Sequence, residues 1–188
     1  MRGKLKKSPW ILSVGFKIGD VGRASFKGLT PLHDGFTIAG DPSYAPPELL
    51  YSYIDPDWNK RRLGCDAYLL GSIILFYFTY MSMTSAIFNE MDVQLYPKNW
   101  GGTFKEVLLY LRHAFNIVME KFEQSLHMNL KAELPAIVRQ LCDPDPDMRG
   151  NPQCIPRKTN PFSLEYYISR IDAMARKAEL GIWRFDKN

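Results

Sequence analysis

Residues 1–19 contain no aspartate, glutamate, asparagine or histidine, yet they hold Arg2, Lys4, Lys6, Lys7 and Lys17. The whole chain of 188 residues has 24 Lys and Arg against 20 Asp and Glu, a net charge of +4. Setting aside the five basic residues of the first nineteen leaves 19 against 20, or −1. The sequence pI of 8.9 therefore belongs to a short strip. This argues against a nucleic-acid-binding surface, which spreads Lys and Arg over one face. Cysteine is scarce: Cys65, Cys142 and Cys154 are odd in number and fit no CxxC or zinc spacing. They read as reduced thiols of a cytoplasmic protein. His33, His113 and His127 are scattered, with no metal-ligand pairing. No secretory leader is expected, because the apolar stretch after Lys7 is broken by Pro9, Gly15 and Lys17. There is no internal repeat and no low-complexity tract.

What is present points to one globular unit. Apolar content of 46% with 23% charge suits a packed core, and a chain of this length buries roughly 70% of its unfolded surface. The longest uncharged run, residues 67–88, has the length of a membrane span. Gly71, Ser72, Thr79, Ser82, Thr84 and Ser85 dilute it, and its most apolar part, from Ile73 to Phe78, is only about two turns long. A helix buried on all sides of a soluble core accounts for it better than a span, so no membrane is expected.

Ile11-Leu12-Ser13 and Phe16-Lys17-Ile18 around Val14-Gly15 predict a small β-hairpin. Residues 20–45 carry no period and read as a long functional loop. Pro46-Pro47 can open a helix, since proline is tolerated in its first turn. Residues 52–64 read as a polar connection with the basic run Lys60-Arg61-Arg62. Asp66 then suits the N-cap or first turn of the apolar helix. Thr103 caps a long amphipathic helix carrying Phe104, Val107, Leu108, Leu111, Phe115, Val118 and Phe122. Leu134, Ile137, Val138 and Leu141 predict another, ended by Cys142-Asp143-Pro144. DPDPDMRGNP reads as a tight loop, and Ser163 as the cap of a last helix with Leu164, Tyr167, Ile168, Ile171 and Met174 on one stripe.

Four of these segments, in order, resemble the C-terminal lobe of the eukaryotic-type protein kinase family. Lys17-Ile18-Gly19-Asp20-Val21-Gly22 resembles the strand and DFG motif, with Val21 where Phe is usual. Gly40-Asp41-Pro42-Ser43-Tyr44-Ala45-Pro46-Pro47-Glu48 resembles GTPxYxAPE at the end of the activation segment. Asp66-Ala67-Tyr68-Leu69-Leu70-Gly71 resembles DxWSxG, and Asp145-Pro146-Asp147-Met148-Arg149 resembles DPxxR. The tail SLEYYISRIDAMARKAELG is similar to extensions of bacterial kinase-like proteins. The resemblance implies a mainly α-helical C-lobe. Residues 1–19 would be a remnant of the catalytic-loop region with the hairpin, and residues 20–48 the activation-segment-like loop. Residues 49–155 would be the helical core, and residues 156–188 a helical extension. It also implies that Glu48 pairs with a buried Arg149, that Asp66 anchors backbone around the catalytic loop, and that Asp20 stands where a Mg²⁺ ligand would.

The departures concern chemistry. Phosphoryl transfer in this family needs a Gly-rich loop, a strand Lys with its helix Glu, a catalytic Asp and a metal-binding Asn besides the DFG Asp. Nineteen residues before Asp20 cannot hold the Gly-rich loop, the strand Lys or its helix Glu. Aligned on Ser8-Pro9-Trp10-Ile11-Leu12, Trp10 replaces the Asn and Leu5 the Asp; with the usual spacing from Asp20, Lys7 and Arg2 do so. Either way the base is missing. Asp41 also replaces the usual Thr. The expectation is a kinase-like lobe that is inactive alone, a pseudokinase-type binding module. The alternative is one half of a split Ser/Thr kinase whose N-lobe comes from another chain. No cofactor is expected alone, with Mg²⁺ and ATP entering only if an N-lobe is supplied. The expected partner is a protein covering the N-lobe-facing surface, or a second copy. Ser25, Thr30 and Thr37 could accept phosphate, paired by Arg23 or Lys27.

Overall fold

The computed structural model describes Arg2–Gly3, Phe16–Lys17, Ser25, residues 27–28 and 37–38, and residues 40–180 except Lys158. It divides into two units, residues 1–39 and residues 40–188. In the first unit, β1 (Arg2–Gly3) and β2 (Phe16–Lys17) pair antiparallel, Arg2 opposite Lys17 and Gly3 opposite Phe16. Phe16 and Lys17 were expected in the second arm of a hairpin turning at Gly15. Its first arm and turn lie outside the described residues, as do Asp20 and Thr30.

The second unit is helical. Its elements are α1 (Pro47–Leu50), α2 (Gly64–Thr79), α3 (Met83–Asn89), α4 (Phe104–Ser125), α5 (Met128–Lys131), α6 (Leu134–Cys142), α7 (Cys154–Arg157) and α8 (Leu164–Glu179). Pro46 precedes α1 as its N-cap in extended conformation, and Pro47 takes the first helical position, where its fixed φ is already helical. At α4 the Thr103 side chain accepts from the Glu106 N–H, while the Glu106 carboxylate accepts from the Thr103 N–H at 2.6 Å, a reciprocal capping box. Ser163 stands at the N-cap of α8 without a side-chain cap bond.

The core forms where α2 packs along α6 and across α4. Ala67, Tyr68 and Leu75 of α2 are fully buried, as are Val107, Leu111 and Met119 of α4 and Ile137, Val138 and Leu141 of α6. Removing each large apolar side chain from water contributes about 1.5–3 kcal/mol. Gly71 permits the α2–α6 approach. A Cβ there would lie 2.4 Å from Cys142 Sγ and 2.8 Å from Leu141 Cβ.

Three expectations are corrected here. The polar connection before α2 is not all loop, because residues Asn59–Leu63 form a π-helical turn that runs directly into α2. Residues 67–88 are not one helix: Tyr80 adopts a left-handed conformation (φ 58°), its N–H bonds Phe76 O at 2.8 Å, and Ser82 caps α3 anew. The two helices diverge by 69°. Nor is α2 buried on all sides, because Ile73, Phe76 and Tyr77 are exposed. No single helix among the described residues is long and apolar enough to cross a membrane.

Candidate functional site

The DPDPDMRG loop builds the centre of the second unit by folding on its own aspartates. Asp143 Oδ1 accepts from the Asp145 N–H and Asp145 Oδ1 from the Asp147 N–H, each at 2.9 Å. Such Asx turns supply acceptors to a backbone that has left the helix. Arg112 Nη2 donates to Asp145 Oδ2 at 2.9 Å and fixes the loop to α4. Gly150 closes it at φ 101°, a conformation that favours glycine, and donates to Gln140 O at 2.6 Å. The loop thereby points Arg149 inward.

Arg149 has no solvent exposure, and Glu48 is 5% exposed. Arg149 Nη1 donates to Glu48 Oε1 at 2.6 Å and Nη2 to Glu48 Oε2 at 2.8 Å, a two-pronged pair across 101 residues of sequence. Nε donates to Asp143 O at 2.9 Å, and Nη1 also reaches Gly64 O at 3.3 Å. The guanidinium lies over the Tyr68 ring, 5.0 Å from its centroid. Planar, delocalised charge suits this mixed environment better than a lysine ammonium would. Burial alone would favour the neutral form, but the Glu48 carboxylate outweighs it and holds the Arg149 pKa above its ordinary value.

A chain of hydroxyls holds the segment leading to Glu48. Thr84 Oγ1 donates to Ala45 O at 2.7 Å. A threonine hydroxyl has one proton, so the Tyr68 hydroxyl is the donor in its 2.9 Å contact with Thr84 Oγ1. Ser82 Oγ donates to Ser43 O at 2.6 Å. Asp41 Oδ1 accepts from the Ser43 hydroxyl at 2.7 Å and its N–H at 2.9 Å, which lowers the Asp41 carboxyl pKa. Residues 41–48 are thus tied to α2, to α3 and to the DPDPDMRG loop, which lie far along the sequence.

Of the residues singled out from sequence, Glu48 and Arg149 are brought together. Asp66 lies in the first turn of α2 without capping it, because the π-helical turn before it has already engaged the N–H groups a cap would satisfy. Burial raises its carboxyl pKa, and the Arg62 guanidinium opposes that shift. Ser25 is half-buried and Thr37 lies in a bend. Tyr68, Ser82 and Thr84 went unassigned in sequence. Their signal was the set of hydroxyls that dilute an otherwise apolar run.

Beside the pair lies a cleft of about 550 Å³ with a mixed polar and apolar lining, Asn59, Lys60, Asp147, Arg149, Pro161 and Phe162 among others. Lys60 bridges to Asp147 across it. All three cysteines are free thiols, and burial pushes the Cys65 thiol up to about 11. No group of three or more His, Cys, Asp or Glu among the described residues is placed to hold a metal ion. Comparison with protein-family models, with curated proteins and with solved structures gives no match.

Proposed function

We propose that these 188 residues form a kinase-like C-terminal lobe that transfers no phosphate by itself and serves as a binding module for a protein partner. The observation that carries this reading is the buried, two-pronged Glu48–Arg149 pair. It joins the APE-like and DPxxR-like segments, which the sequence resemblance pairs in the same way. The hydroxyl ties from Ser82 and Thr84 to residues 43 and 45 support it, since they hold the activation-segment-like stretch against the lobe.

The chemistry supports a non-catalytic role. Residues 1–19 hold no carboxylate and no asparagine, so neither a base for the accepting hydroxyl nor the second metal ligand is present there. A single carboxylate such as that of Asp20 holds Mg²⁺ weakly unless further oxygen ligands share the ion. Binding is supported by the exposed apolar face of α2, since contiguous apolar surface tends to mark an interface.

The test is phosphate transfer from γ-labelled ATP, with Mg²⁺, to the chain itself and to a generic Ser/Thr substrate. No incorporation above the Asp20→Ala variant is expected. Incorporation that depends on Asp20 would replace this reading with that of a working kinase half.

A further inference from the structure

The buried face of α2 carries Ala67, Tyr68, Gly71, Ser72 and Leu75. On the opposite side Ile73, Phe76 and Tyr77 fall within about 100° of the helix circumference, and Tyr80, the left-handed residue that closes the helix, stands beside Phe76. They are 50%, 39%, 76% and 83% exposed. Phe76 and Tyr80 already stack edge to face, with centroids 6.4 Å apart, so the outer ring is held rather than splayed. We propose that this stripe is the contact of a symmetric dimer in which α2 packs antiparallel against α2 of a second copy. The inference rests on the reading of the chain as a binding module and names its partner.

Three features favour a second copy as the occupant. The first is the absence of charge from residue 67 to residue 88. A two-fold contact sets each surface against itself, so like charges would repel there, and here none exist. The second is register. With the axis between Phe76 and Tyr77, Ile73 of one copy lies opposite Tyr80 of the other, and Phe76 opposite Tyr77. The nearest charged residue on the stripe is Asp66. The two Asp66 carboxylates would stand about 30 Å apart at 1.5 Å rise per residue, well beyond the roughly 10 Å screening length. The third is area. At roughly 200 Å² for a fully buried aromatic side chain, the exposed part of the stripe amounts to about 500 Å² per copy. The pair buries about 1,000 Å², the threshold for a specific association, and the contact is rich in tyrosine, which anchors interfaces.

The experiment is sedimentation equilibrium of the full chain over rising concentration, without lipid and then with neutral phosphatidylcholine vesicles. The mass should climb from 21.7 kDa towards twice that value. The Tyr77→Asp/Tyr80→Asp variant should stay at the monomer mass with an unchanged circular-dichroism spectrum. In the Ile73→Cys/Tyr80→Cys variant the two thiols of one chain are about 10 Å apart along the helix, too far to bridge each other. Mild oxidation should therefore give a covalent dimer that the parent chain does not form. A parent chain that stays monomeric overturns the dimer, whether residues 1–39, a foreign protein or the vesicle surface takes the face instead. A dimer that survives the double aspartate substitution overturns it equally. Phosphate transfer by the dimer would sink the non-catalytic reading and leave the contact intact.

Discussion

At the residue scale, Arg149 carries the most consequence. It is a buried cation whose three donor nitrogens face Glu48, Asp143 O and Gly64 O. Removing one member leaves the other charge buried without its partner, which costs about 3–5 kcal/mol. Arg149→Met should lower the urea midpoint by that equivalent. Joint replacement, Glu48→Leu with Arg149→Met, should recover part of the loss, because replacing both charges with apolar groups removes the uncompensated one. Cys65 gives a quieter test. With burial pushing its pKa to about 11, its thiolate fraction at pH 7.5 is far below that of an exposed cysteine. Alkylation followed by mass spectrometry should find Cys65 slow in the native chain and fast in urea. The Asp66 carboxyl has a pKa raised mainly by burial. A carboxyl with a folded pKa above its unfolded one favours folding at low pH and loses that contribution as pH rises through the folded pKa. Asp66→Asn should therefore be slightly more stable than the parent at pH 7, a small gain because the residue remains solvent-exposed, with the gap closing as pH falls through the carboxylate range. A true anchoring role for the carboxylate would give the opposite sign.

At the scale of elements, the meeting of α2 and α6 decides the fold. Gly71→Ala places a methyl against Cys142 Sγ and Leu141 Cβ, an overpacking that costs about 1–3 kcal/mol. Denaturant melts should show that loss, and Cys142→Ala should restore part of it. Much of this level was legible in the sequence. Thr103 announced α4, Pro46-Pro47 announced α1, and the periodic apolar positions of α4 and α6 found the core. The π-helical turn at Asn59–Leu63 was not legible, because Lys60-Arg61-Arg62 carries no apolar period to mark a helix. The break at Tyr80 was not either, since tyrosine has no preference for a left-handed conformation and only the refolding of Ser82 as a cap explains it. The bare side of α2 escaped for a related reason. Apolar residues occupy both of its sides, so no contrast in polarity marks which one faces the core.

At the scale of the whole molecule, the charge arithmetic and the architecture carry the functional account together. The net positive charge sits in residues 1–19, within the first unit of residues 1–39, while the Glu48–Arg149 framework lies wholly in the second. The pairing of these two residues was legible only through the resemblance, because nothing local to either announces a partner 101 positions away. The hydroxyls that dilute residues 67–88 were visible in the sequence, but the chain from Tyr68 through Thr84 to Ala45 O was not, since a buried donor and a solvated one are written with the same letter. The proposed non-catalytic lobe carries no nucleotide chemistry of its own. The most direct measurement is the melting temperature with and without 1 mM Mg-ATP. A ligand present at 100 times its Kd adds about 2.7 kcal/mol, or roughly 5–10 °C for a domain of this size. For such a lobe no shift beyond about 1 °C is expected, the level set by non-specific binding well above millimolar Kd. A saturable rise of several degrees, lost in Asp20→Ala, would contradict it.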